Sequence, residues 1–152
     1  MPTELSLSTR KNNHIKNALD TSTLDDGAVA HAAAYRREYL SATHRPTLAT
    51  RAYNCHGMTF ANRRTAITDG ATLRQLLQED EYEVAKDPSP GDAILYLSAT
   101  GEIIHSGIII QKQELGIRVL SKWGAAHEVI HLPADCPYQA ATTHYEYWRI
   151  CK

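Results

Sequence analysis

Three cysteines, Cys55, Cys136 and Cys151, stand in a chain of 152 residues, and the first has the neighbours that activate a thiol. Asn54 is a strong N-cap residue, so the sequence predicts a helix that opens at position 54 and runs through CHGMTFANRR. The Cys55 sulfur then lies in the first turn, where unpaired backbone N–H groups carry partial positive charge and favour a thiolate. Gly57 admits close approach of another backbone or of a substrate, and the free N–H groups are candidate oxyanion donors. A lone cysteine is more often a small buried hydrophobe, so a nucleophile also needs a base. Cys136 and Cys151 have no helix start beside them, and the spacings form neither a CxxC pair nor a disulfide framework. With three thiols, at least one is expected to be free.

A base is available in PGDAILYLSATGEIIHSGIIIQ, where an apolar strand follows Pro90-Gly91-Asp92 and a second begins near Ile103. The second carries His105-Ser106-Gly107. A histidine entering a buried strand, followed by two small residues, leaves room for a packed helix to bring a side chain against the imidazole. Within hydrogen-bond reach of Cys55, His105 makes the thiol an efficient acyl-transfer nucleophile. Taken alone, it is as readily a hydrogen-bonded core histidine.

Together YNCHGMTFANRR, PGDAILYL and HSGIII resemble the papain-like cysteine hydrolases of the NlpC type and their CHAP-domain relatives, over roughly residues 50–125. In that group the nucleophilic Cys opens a helix, a Pro-Gly-Asp turn introduces the first strand, and a His-x-Gly strand carries the base. The resemblance implies Cys55 as nucleophile and His105 as general base. The chain departs from the group's usual Asp-Cys-Ser-Gly with Asn54-Cys55-His56-Gly57, which makes His56 an unexpected neighbour. The order Cys before His argues against the circularly permuted relatives, such as the lecithin-retinol-acyltransferase-like proteins.

The resemblance puts a third, orienting group on the next strand, here GIRVLSKWG. With a hairpin turn centred near residue 113, His105 lies opposite about Ser121, and alternation puts both on one face. A second hairpin, turning at Gly124-Ala125-Ala126, brings His131 opposite about Val119 on that face. Ser121 is the positional candidate and His131 the chemical one, because an imidazole supports a developing imidazolium better than a hydroxyl does. Lys122 and Glu128 oppose each other on the other face and read as a solvated cross-strand ion pair. His127 and His144 read as strand-end residues without a role, and spacing gives Ser121-Lys122-Trp123-Gly124 no role as a unit. A zinc set from Cys55 or His56 with His105, His127 and His131 is disfavoured, since positions 127 and 131 of a strand stand about 13 Å apart. No metal and no cofactor is expected, and no phosphate-binding glycine loop is present in the sequence.

The elements that must position these groups divide the chain in two, helix-like to about residue 85 and strand-like after it. Residues 1–24 are polar and weakly patterned, an arm or a short helix, and residues 25–152 read as one domain. Helices are expected over 28–40 and 71–78 besides the one at 54, with Pro46 breaking the chain between the first two. Strands are expected over 93–97, 103–110, 117–123, 128–132 and about 144–150, joined by gaps too short for helical crossovers. The expected fold class is α+β, a papain-like arrangement of N-terminal helices on one face of a mostly antiparallel sheet of about five strands. Sixteen Lys and Arg against seventeen Asp and Glu leave a net charge of -1, which gives no basic field for nucleic acid or for an anionic membrane. No apolar run is long enough for a secretory leader or a membrane span, so the expected location is the cytoplasm, or outside the cell by a leaderless route.

A cysteine peptidase or amidase working through a thioester acyl-enzyme is the expected function. The NlpC resemblance implies bacterial cell-wall peptide as substrate. A free-standing domain of this size suits an exported effector or toxin, whose producer needs an immunity or inhibitor protein. The alternatives are a non-catalytic papain-fold binding or regulatory module, and a protein-directed acyltransferase or deamidase with the same Cys-His chemistry.

Overall fold

Each helix begins at a side-chain cap that the sequence supplies. The computed structural model describes residues 2–151, in which Asp25 accepts the Ala28 N–H and starts α1 (Asp26–Glu38). Asn54 does the same for α2 (Cys55–Ala61) through the Gly57 N–H, and Asp69 for α3 (Gly70–Glu79) through Thr72. The second helix is shorter than the sequence pattern predicts. Asn62 and Arg63 take left-handed backbone angles, with φ of 50° and 65°, and turn the chain out of the helix before Arg64.

Seven strands form one sheet, where five were expected: β1 (Thr43–His44), β2 (Tyr82–Val84), β3 (Ala93–Leu97), β4 (Ile103–Gln113), β5 (Gly116–Lys122), β6 (Glu128–His131) and β7 (His144–Ile150). Their order is β1-β6-β5-β4-β3-β7-β2, and every pairing is antiparallel. The two additional strands are edge strands of two and three residues, too short to show the alternation by which strands are recognised in a sequence. Strands β3 to β6 form the expected meander. β7 then returns to pair with β3, which makes the strand of the Pro-Gly-Asp turn an interior strand of the sheet.

The helices do not share one face. On one side Ile94, Tyr96, Ile109, Val119, Trp123 and Val129 pack with Ala32, Tyr35 and Tyr39 of α1 and the turn after it. On the other side Leu95 and Leu97 meet Leu77 and Phe60, while Ala61, Ile67, Leu73 and Leu76 close a second cluster around Ile15. The fold therefore has three layers. α1 was expected beside the other helices; its alanines and tyrosines instead match the broad ring of Trp123, 5.3 Å from Tyr35 and 4.9 Å from Tyr39 between centroids.

Residues 2–24 contain no helix and are an extended arm held against the domain. Bridges join Thr3 to Leu19 and Ser8 to His14, and Ala18 pairs with Ala66 in the loop after α2. The Asn17 amide bonds to Leu5 and Ile15 and accepts the Thr65 hydroxyl.

Asp92 locks the Pro-Gly-Asp turn to the last strand. Its buried carboxylate takes a two-pronged contact from Arg149 at 2.8 and 2.7 Å and the Ser89 N–H at 2.8 Å. The Arg149 contact leads the groups that hold the carboxyl below its ordinary value. Stability from this pair is present above the unfolded carboxyl value, about 4, and is lost as pH falls through the lower folded value. Asp92→Asn is expected to lower stability by about 2 kcal/mol at neutral pH and to remove that part of the acid limb, read from urea melts between pH 2 and 7.

Candidate functional site

The β4–β5 ladder opens beside His105. Ile109 directs both backbone groups to the β3 side, donating to the Asp92 carbonyl at 2.9 Å and accepting from Gly91 at 2.7 Å. Alternation then turns the backbone groups of Ile108 and Ser106 toward β5. Ile108 pairs with Leu120, the last rung of that ladder. Ser106 and Lys122, next in the register, are not paired. Gly107 sits at the fork, where an added Cβ would lie 2.5 Å from Val119 Cγ1 and 2.8 Å from the Leu120 carbonyl oxygen.

The start of α2 is inserted at this opening. Asn54 Oδ1 accepts the Gly57 and Ile67 N–H groups at 2.8 and 3.1 Å, and its amide donates to the Ile67 carbonyl at 2.7 Å, so one side chain ties the helix start to the returning loop. Gly57 is required there because a Cβ would fall 1.7 Å from the Thr65 carbonyl oxygen. Cys55 is 7% exposed. Burial pushes its thiol up to about 11, against the pull of the Ser106 N–H, the His56 N–H and the Ser106 hydroxyl at the sulfur and of the nearby Lys122 charge. The first turn of α2 is fastened to β4 at the missing rung through the Ser106 hydroxyl, which meets His56 and Thr59.

His105 does not make the expected hydrogen bond to Cys55: neither ring nitrogen has a partner, and the ring lies in the opposite layer. Ser106 points to α2, where its hydroxyl is 2.7 Å from His56 Nδ1 and 3.2 Å from Thr59 Oγ1. His105 therefore points to the α1 side. Room for the helix was expected from both small residues after the histidine; Ser106 alone supplies it, and Gly107 serves the close crossing of β5. The His105 ring is fully buried, stacked on Tyr138 with centroids 3.9 Å apart and planes 9° off parallel, and edge-on to Tyr96 at 5.0 Å. Burial, followed by the charges of His131 and His56, holds it well below the ordinary imidazole value. Both ring nitrogens are without a hydrogen-bond partner, the only buried side-chain polar atoms among the described residues of which this is true. Tyr138 also senses the Cys55 sulfur; burial first, then that sulfur, raises its phenol.

The two candidates for the orienting group bond to each other. Val119 pairs with His131 as the sequence predicts, and Ser121 Oγ is 2.7 Å from His131 Nε2. The His131 Nδ1 proton goes to the Leu132 carbonyl at 2.7 Å, so Nε2 accepts the Ser121 hydroxyl, which itself accepts Trp123 Nε1–H at 3.1 Å. Burial keeps His131 neutral, down to about 4. In this arrangement neither Ser121 nor His131 touches a His105 nitrogen. The hairpin registers explain part of this: Lys112 pairs with Ile117 and Ile109 with Val119, so the turn centres beyond residue 113 and His105 comes level with Trp123 rather than Ser121.

Lys122 and Glu128 face each other across β5 and β6 as expected, yet they are neither solvated nor an ion pair. Both residues are at most 1% exposed. Lys122 Nζ donates to the carbonyls of Thr50, at 2.8 Å, and Gly124, and lies 4.8 Å from the Tyr53 ring centroid. Glu128 takes Arg63 Nε and Nη2 at 2.6 and 2.9 Å and the Tyr53 hydroxyl. Thr50 and Tyr53 lead into α2 and Arg63 leads out of it, so the two charges hold both ends of the helix. Sequence reasoning missed these roles. The available sign was Leu120 opposite Ile130 one step along the same face, an apolar neighbour pair that implies a covered surface. His127 is also more than a strand-end residue: it is buried, and its Nε2 is 2.7 Å from His44 Nδ1. His144 is exposed at the start of β7.

A depression of about 280 Å³ lined by Arg51, Tyr53, Asn54, Ala66, Gly124 and Ala125 opens beside the helix start. All three cysteines are free thiols, and among the described residues no three His, Cys, Asp or Glu side chains cluster closely enough to hold a metal ion. No described helix is long and apolar enough to cross a membrane. Comparison with family models, with curated proteins and with solved structures finds no match to the chain.

Because three hydrogen bonds at the helix start depend on one amide, Asn54→Ala is expected to lower stability by about 2 kcal/mol in urea denaturation, more than an ordinary exposed cap.

Proposed function

We propose that the chain is a papain-like cysteine hydrolase, a peptidase or amidase that forms a thioester acyl-enzyme on Cys55. What supports this is a side-chain-capped cysteine at the start of α2, packed on β4 where the ladder opens, together with a buried imidazole on that same strand whose two nitrogens have no partner. A buried imidazole left without hydrogen bonds loses the stabilisation that a purely structural histidine has, which argues that its nitrogens serve a transferring proton. In the proposed cycle His105 takes the thiol proton, the thiolate attacks the carbonyl carbon of the scissile amide, and imidazolium returns the proton to the departing amine. Water, deprotonated by His105, then hydrolyses the thioester and frees the acid. Backbone N–H groups at the start of α2 supply the oxyanion contacts. Ser121 and His131 act as a positioning pair that fixes the β5 wall next to the imidazole.

The substrate class proposed is bacterial cell-wall peptide, in an effector or toxin role that calls for an immunity protein in the producer. It rests on the likeness of YNCHG, PGD and HSG to the NlpC group. A non-catalytic binding or regulatory module is favoured by one observation, the near-complete burial of Cys55 with its thiol held high. Transfer to a protein acceptor, or deamidation, would use the same Cys-His steps.

Mass spectrometry of purified peptidoglycan fragments is expected to show cleavage by the wild-type protein and none by Cys55→Ala. Cys55→Ser and His105→Ala are expected to lower the rate by a factor on the order of 10³ or more with the fold retained, while a double Cys136→Ala, Cys151→Ala variant keeps turnover. Full activity in Cys55→Ser or in His105→Ala would end the proposal.

A further inference from the structure

We infer that Lys122 is the counter-charge of the Cys55 thiolate, a buried ammonium placed in the opened ladder that brings thiolate formation toward neutral pH. This deepens the hydrolase proposal and rests on it.

Placement comes first. Ser106 and Lys122 are the two residues that the β4–β5 register would pair next and does not. Both side chains face α2: the Ser106 hydroxyl is 2.7 Å from Nδ1 of His56, one residue after the cysteine, and Lys122 Nζ is 4.8 Å from the ring centroid of Tyr53, two residues before it, so Cys55 lies between residues that touch the two. Lys122 is tied to that gap from both sides, through the carbonyl of Thr50, five residues before the cysteine, and that of Gly124. Two of its three protons are engaged there, and the ammonium has one more donor to offer.

The charge also has no other partner. Glu128, across the strand pair, is taken up by Arg63 and Tyr53 and makes no bond to Lys122. A buried ammonium facing only carbonyl dipoles and an aromatic ring is unfavourable unless an anion joins it. The titratable groups that face it are Cys55 from α2, Glu128 from β6 with its partner Arg63, His127 from the turn before β6, and Tyr53 from the segment before α2, while His56 and His105 lie farther along the same opening. His56, His105 and His127 are buried and kept neutral, Tyr53 stays protonated, and Glu128 is paired. Cys55 is the one group in this set left to carry the compensating negative charge. Burial lowers Lys122 to about 8, with Cys55 and then Glu128 working the other way, in favour of the ammonium.

Lys122→Gln keeps an N–H donor for the two carbonyls and removes the charge; Lys122→Arg keeps the charge. The rate of iodoacetamide labelling of Cys55, followed by peptide mass spectrometry across pH 5 to 11, reports the thiolate. The labelling midpoint is expected to rise by about one pH unit or more in Lys122→Gln and to stay at or below the wild-type midpoint in Lys122→Arg. Coupling is reciprocal, so the same interaction is visible without altering the lysine. Carbon NMR of lysine labelled at Cε is expected to show Lys122 losing its proton at lower pH in Cys55→Ala than in wild type, and this measurement decides the matter if Lys122→Gln does not fold. A folded Lys122→Gln with an unmoved labelling midpoint, or a Lys122 titration unchanged by Cys55→Ala, overturns the inference. Either result leaves the hydrolase proposal standing if wild-type protein cleaves peptide, whereas failure of that proposal shows as no cleavage by wild type at all.

Discussion

One missing rung of hydrogen bonds governs this molecule. Had Ser106 and Lys122 paired, the sheet would be a continuous wall between α1 on one face and α2 with α3 on the other, with no opening at the start of α2. Unpaired backbone groups inside a protein must find other partners. The Ser106 hydroxyl meets His56 and Thr59, so the opening is lined by the helix that occupies it. Gly107 allows the strands to part over a single residue, since its lack of a Cβ lets β5 cross in close contact immediately beyond the fork.

An opened ladder is weak unless something holds the inserted helix. Asn54 holds the front of α2, and the buried Glu128 holds Tyr53 before it and Arg63 after it. The left-handed residues Asn62 and Arg63 are the backbone counterpart of that contact: they end the helix after two turns and bring the guanidinium back to the sheet. Trp123 completes the enclosure from the other layer, donating to Ser121 and stacking its edges against Tyr35, Tyr39 and His131. Ser121, Lys122, Trp123 and Gly124 thus act as one unit facing both layers alternately, as a strand must.

Much of this was legible in the sequence, and the rest was hidden for physical reasons. Helix caps are local, so Asn54 declares its helix, whereas Asp69 was not singled out; long apolar strands alternate or run continuously, so residues 93–97 and 144–150 were readable to the residue. The faces of β5 and β6 followed from parity alone. A whole-residue error in the turn centre moves a partner by two positions and keeps its face; the hairpin closes at Gln113 and Gly116, and the bulge between Ile109 and Gln111 removes the remaining half-residue, so His105 moves from Ser121 to Trp123 on the same face. Burial of Lys122 and Glu128 was hidden because it depends on which helix covers that face, a long-range fact. The side of the sheet that α1 takes was hidden likewise. His56 looked out of place beside a nucleophile; its bond to Ser106 shows a residue that anchors α2 to β4.

The central claim is that the Cys55 sulfur becomes acylated. Acid quenching during the first seconds of incubation with cell-wall peptides, followed by intact-mass and peptide mapping, reads that state directly. A mass gain equal to the acyl half of the substrate, confined to the peptide that contains Cys55 and removed by hydroxylamine, is the predicted result. Product release with unmodified Cys55 peptide at every quench time, together with unimpaired cleavage by protein whose Cys55 has been blocked beforehand, would contradict the account.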